Sequence, residues 1–151
     1  MPMPWTFRHA QKEWRGILDD MREVLNTPSD NVAYTGLEGV FRAFRDRLPV
    51  AQAIAFAQVL PALPRALFVQ RWDPAPPRPW ADPSTYVAEA RAFRGDHNFA
   101  GPEVLRAAFY ALHRAIQPVD LHRALDRIGP EARAFWQLDG IDPGELGPRF
   151  R

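Results

Sequence analysis

Leu37, Val40, Phe41, Phe44 and Leu48 follow one another at steps that place them three, four, seven and eleven positions from the first. In a helix with a period of 3.6 residues such positions share one side. The segment must therefore bury an apolar face against a partner. Arg42, Arg45, Asp46 and Arg47 fill the other positions. They read as a solvated, weakly basic face, diluted by Asp46 and Glu38. Pro49 stops the run, because its ring clashes with the preceding turn. The spacing returns 68 positions later as Leu105, Ala108, Phe109, Leu112 and Ile116. The same shift pairs Leu60 with Ile128, Arg65 with Arg133, Ala66 with Ala134 and Phe68 with Trp136. It also pairs Arg45 with His113, which places His113 on the helix surface. A whole face returning in register predicts an internal duplication.

The rest of the chain arranges itself around these two copies. Met1 to Arg8 reads as frayed, with Trp5 and Phe7 able to fold back onto the body. A first helix is expected over Gln11 to Leu25, with Trp14, Ile17, Leu18, Met21, Val24 and Leu25 on its apolar side. Thr27 to Asn31 carries loop and cap residues. A second helix follows from Gly36 to Leu48. A third takes Pro49 as its first residue and turns Ile54, Phe56, Ala57 and Leu60 inward. Pro61 and Pro64 leave room for one short helix through Phe68 or Val69. Asp73 to Ser84 holds five prolines in twelve residues, which admits neither a helix nor a central strand. It reads as a semi-rigid connector.

Asp82 and Pro83 then open a helix with Tyr86, Val87, Ala90 and Phe93 on one face. Gly95 to Asn98 is a turn. A helix runs from Gly101-Pro102-Glu103 to about Gln117. Pro118 opens another, with Leu121, Leu125 and Ile128 inward. Gly129-Pro130-Glu131 starts a last short one ending near Trp136. The glycine- and proline-bearing tail from Gly140 is extended or disordered unless docked. No segment alternates with period two. The expectation is one all-α domain, residues 1–151, built as a helical bundle of two similar repeats of three to four helices. Repeat 1 covers about 11–72, the connector 73–83, repeat 2 about 84–138 and the tail 139–151. Neither repeat buries enough surface alone, but two stacked faces make a sufficient core.

Composition narrows the functional classes. The chain has 151 residues, a formal net charge of +1 and no cysteine. Disulfides, thiolate nucleophiles and cysteine-held metals are thereby excluded. Basic and acidic residues are balanced in both halves, so no nucleic-acid partner is expected. Pro49 to Pro64, the longest uncharged run, is too short to span a membrane, and no secretory leader is visible. A cytoplasmic location is expected. Arginine outnumbers lysine 18 to 1, a bias that fits a GC-rich bacterial genome.

The pattern resembles the bacterial family called domain of unknown function 2267. The likeness rests on Leu37 to Leu48, the following LPVAQAIAFAQVLPALPRALF, and the Trp72-Asp73-Pro74 triplet. In the second copy it rests on Ile116 and Pro118 ahead of Arg133 and Trp136. It covers roughly Gln11 to Leu138. The second copy departs at IGPEARAFW, where Gly129 stands in the place of an expected proline. The resemblance implies a duplicated helical architecture without an assigned activity, and no catalytic residues.

No phosphate loop, dinucleotide fingerprint, nucleophile elbow or His-Glu-x-x-His motif is present. Candidate site residues are therefore few. His97, with Asp96 and Asn98, could ligate a metal or transfer protons, but a helix-capping turn is the commoner use of these types. His122 and Asp126 share a helix face and read as an ion pair. Arg65 and Arg133 could hold a carboxylate or phosphate, against the plainer reading that each satisfies a helix end or a carboxylate. Trp72 and Trp80 flank the prolines and could form a docking surface, against packing onto the body. No catalytic residue, cofactor or metal site is expected. Two functional readings follow. The first is a non-enzymatic module that binds another protein or itself, through the connector aromatics or the tail. The alternative is a small-ligand binder or enzyme with a pocket between the repeats, into which Arg65, Arg133 and His97 point.

Overall fold

The computed structural model describes residues 3–98 and 100–148. Its helices are α1 (Trp5–Arg8), α2 (Ala10–Leu25), α3 (Asp30–Arg45), α4 (Val50–Ala57), α5 (Ala62–Val69), α6 (Pro83–Ala92), α7 (Val104–Ala115), α8 (Pro118–Ile128) and α9 (Pro130–Phe135). A single 3-10 turn, Pro143–Glu145, interrupts the tail. No strand occurs among the described residues, so the chain is all-α.

Local chemistry fixes the helix ends. α2 stops where Asn26 takes the left-handed conformation at φ 53°, which asparagine tolerates better than most residues. Ser29 Oγ then accepts from the Val32 amide at 3.2 Å. That cap starts α3 at Asp30, six residues before the expected Gly36. Arg15 and Arg22 both reach the Asp30 carboxylate and tie the start of α3 back to α2. They hold that carboxyl at about 2, below its ordinary value. α3 ends at Arg45 rather than Leu48, and Pro49 is the cap of α4 rather than its first residue. Asp82 caps α6 as expected, its carboxylate accepting from the Thr85 amide at 2.9 Å. Pro83, Pro118 and Pro130 each occupy the first position of a helix, where the missing N–H leaves no partner unmet.

The helices pair across the chain rather than along it. α2 packs most extensively against α7, and α3 against α6. At the second crossing a Cβ on Gly39 would lie 2.3 Å from the Ala90 carbonyl oxygen. The two backbones touch there because this position has no side chain. The core is a cluster of rings drawn from both halves. Phe44 meets Phe56 at 4.8 Å and Trp136 at 5.4 Å between centroids. Phe109 meets Trp136 at 5.2 Å, and Phe41 meets Phe68 at 5.4 Å. Such tilted and edge-on ring pairs add to the stabilisation from apolar burial.

Several sequence expectations are corrected. Ile54 faces solvent, 51% exposed. Arg45 and Arg47 do not form a solvated face with Arg42, because both are buried. His113 is buried too, not a surface residue. Arg45 Nη1 donates to the Phe68 carbonyl at 2.9 Å. His113 Nε2 lies 2.8 Å from the Trp136 carbonyl. Each thus holds the end of the short helix that closes its half of the chain. Trp5 folds back as expected, half-buried in α1, whereas Phe7 remains exposed. The tail is docked over its described length. Gly147 N donates to the His113 carbonyl at 2.8 Å, and Arg106 donates to the Asp139 carbonyl at 3.3 Å. No helix among the described residues is long and apolar enough to cross a membrane.

Candidate functional site

The connector does not hang free. Arg78 N donates to the Asp46 carbonyl at 2.8 Å. Arg47, buried beneath it, donates to the Pro79 carbonyl at 3.2 Å and forks onto Glu89 of α6 at 2.6 and 2.7 Å. Arg78 reaches the same carboxylate at 2.7 Å. The hydrogen bonds that Arg47 donates to Glu89 hold its guanidinium above its ordinary pKa, against the opposing effect of burial. Tyr86 completes the anchorage. Its hydroxyl accepts from the Ala81 amide at 2.7 Å and donates to the Ala81 carbonyl at 3.0 Å. An extended, proline-rich strip with few internal hydrogen bonds is thereby fixed on the body.

Fixing the strip creates a groove. Trp80 stands at its wall, 6.0 Å from the Phe44 ring. Tyr86 and Phe135 meet at 4.6 Å, and Phe109 lies 5.8 Å from Phe135. Together with Pro83 and Leu105 these residues line an open depression of about 370 Å³. Glu131, Gln137 and Asp139 form its polar side. The groove is thus built from the connector, α6, α7, α9 and the start of the tail. Its lining is rich in aromatic rings, and among the described residues its charged lining residues are both acidic.

The residues singled out in the sequence are not brought together. Trp80 lines this groove. Trp72 is half-buried against the core, with the Arg45 guanidinium 5.2 Å over its ring. Arg65 donates to the Ala57 carbonyl at 3.0 Å and the Leu60 carbonyl at 2.9 Å, satisfying the end of α4. Arg133 pairs with Asp126 at 2.8 Å on an exposed face, so Asp126 meets Arg133 there. His97 is exposed in its turn. Asn98 supplies the cap, donating to the Ala90 carbonyl at 2.7 Å and the Phe93 carbonyl at 3.0 Å. Arg65, Arg133 and His97 do not converge on a pocket between the halves, where the ring cluster is packed instead.

Two further cavities hold titratable side chains. One of about 530 Å³ lies along α8 and α9 and holds His113, His122, Asp126 and Arg133. Burial pushes the His113 imidazole below 6.5, with His122 adding to the effect. Its cation, Arg133, is already bound by Asp126. The other, beside Trp5, Asp20 and Arg114, is about 40 Å³, enough only for a few waters. No group of three or more His, Cys, Asp or Glu residues able to hold a metal ion occurs among the described residues.

The sequence assigns Tyr86 and Phe109 to apolar helix faces and Glu131 to a helix start, and singles out neither Phe135 nor Asp139. Only the anchoring of the connector brings them to one surface. Comparison with known proteins adds one match. The family model described as "Uncharacterized conserved protein (DUF2267)" fits residues 14–135. No curated protein matches the chain.

Proposed function

The chain belongs to the DUF2267 family of uncharacterized conserved proteins, and on that premise we propose that it is a helical module that binds a partner protein rather than a catalyst. The observation that carries this reading is the groove walled by Trp80. A rigid, partly exposed aromatic beside apolar side chains and a polar rim is the makeup of an interface centre. The connector holding Trp80 is anchored by a partly buried ion pair, so the surface is preorganised and little ordering opposes association. A ligand pocket at the junction of the halves has less support, because Phe41, Phe44, Phe56, Phe109 and Trp136 pack there.

A photo-crosslinking amino acid at position 80 of the full chain tests the proposal in cells. It is expected to trap one defined protein, with the same group at Arg123, on the exposed face of α8, as the control. Equal, diffuse labelling from both positions would overturn the reading. Light scattering of the purified chain separates a second copy from a different partner.

A further inference from the structure

The groove carries a chemical signature that points to what fills it. The chain contains 18 arginines and one lysine, yet none of those among the described residues lines the groove, and neither does a described histidine. Its charged residues are Glu131 and Asp139. Glu131 is exposed and takes part in no hydrogen bond or ion pair among the described residues. Among the described residues, the Asp139 carboxylate accepts only from the Gln137 side-chain amide, at 3.3 Å. Neighbouring arginines are committed elsewhere. Arg133 turns to Asp126, Arg47 and Arg78 to Glu89, and Arg106 to the backbone carbonyl of Asp139. Among the described residues, Glu131 has no counterion.

Aromatic rings and two carboxylates lining one groove favour a cation on an apolar stem. The stem covers the rings, and the cation faces both their π surfaces and the carboxylates. This fold already uses the arrangement within itself. Arg47 lies over Tyr86 at 4.9 Å, Arg45 over Trp72 at 5.2 Å and Arg42 over Phe93 at 4.3 Å. The planar guanidinium suits such stacking better than an ammonium. At about 370 Å³ the groove is near the lower limit for small-molecule sites, and it is open rather than enclosed. It has room for one long side chain whose backbone crosses the rim.

We propose that the groove takes an arginine side chain, flanked by apolar residues, from a partner protein. The stem lies against Trp80 and the guanidinium meets Glu131 and Asp139. This rests on the partner-binding reading above and names the chemistry of the occupant. The test is a titration of the full chain, followed by amide NMR, with the capped peptide alanine-leucine-arginine-phenylalanine-alanine. Glutamine and glutamate replacements of the arginine, and free n-butylguanidinium, are the comparisons.

The arginine peptide is expected to shift the amides of Ala81, Glu131 and Gln137. The glutamine peptide is expected to bind about tenfold more weakly, the size of one stacked, partly exposed ion pair. The glutamate peptide is expected not to bind, and added salt to weaken the arginine peptide. The double variant Glu131→Gln, Asp139→Asn, whose side chains lie outside the core, should lose the same tenfold with unchanged helix content. Equal binding of the arginine and glutamine peptides would overturn the proposal and leave the partner-binding reading standing. Binding of butylguanidinium as tight as that of the peptide would replace the protein segment by a small cation. No shift at the groove with any peptide, together with no specific cross-link at position 80, would remove both.

Discussion

His113 sits with Nε2 2.8 Å from the Trp136 carbonyl. A carbonyl only accepts, so the neutral ring carries its proton on that nitrogen. Burial and the nearby His122 hold the imidazole below its ordinary 6.5. As pH falls, the unfolded chain therefore takes up a proton at this residue before the folded one does. The contribution to stability is full above 6.5 and is lost as pH drops through that value toward the folded pKa. The thermal midpoint should decline between about pH 7 and pH 5, and more shallowly in His113→Gln, whose amide can still donate to the carbonyl. An identical slope in the variant would show that this ring does not carry the linkage. The surface position expected for His113 went against its spacing. It follows Phe109 by four residues and precedes Ile116 by three, as Arg45 follows Phe41 and precedes Leu48. Polarity argued for solvent and spacing for the core. What settled the matter is a carbonyl 23 residues further on, which neither signal reveals.

At the level of helices, two glycines separate propensity from packing. Gly16 in α2 has open space where a Cβ would go, whereas Gly39 in α3 abuts Ala90 of α6. Gly16→Ala should stabilise the protein by about 0.5–1 kcal/mol, since alanine restricts the unfolded chain and favours helix. Gly39→Ala should destabilise it by about 1–3 kcal/mol or more, because the crossing must widen. Chemical denaturation reads both, and the same sign for the two would refute the crossing. The connector depends on another pair. Glu89→Ala would leave the buried Arg47 charge with only the Ala43 and Pro79 carbonyls as partners, at up to about 3–5 kcal/mol. Hydrogen exchange at the Arg78 amide, which donates to Asp46, should accelerate in that variant, and unchanged protection would separate the connector from the ion pair. Helix identity was largely readable, because prolines and caps punctuate this chain. The groove was not, because residues 80–86, 105–109, 131–135 and 137–139 meet only after the connector docks, and no local pattern encodes that meeting.

Over the whole molecule, crosswise pairing makes each half depend on the other. α2 leans on α7 and α3 on α6, so residues 3–72 should not hold a native fold by themselves. Expressed alone, that fragment is expected to show weak helicity and no cooperative melt. Mixing it with residues 73–148 should restore both, with circular dichroism as the readout. A fragment that melts cooperatively without its counterpart would contradict this dependence. The arrangement also bears on how the chain is made. During synthesis at about 5–20 residues per second, α7 follows α2 by some 79 residues, from Leu25 to Val104. Ile17, Leu18 and Met21 therefore wait roughly 4 to 16 seconds for their main partner, with only the smaller contacts of α1, α3 and α5 to shelter them. For a protein composed of short helices this is a long exposure. Any ribosome-associated factor that shields nascent apolar segments would find its task in the first helices of this chain.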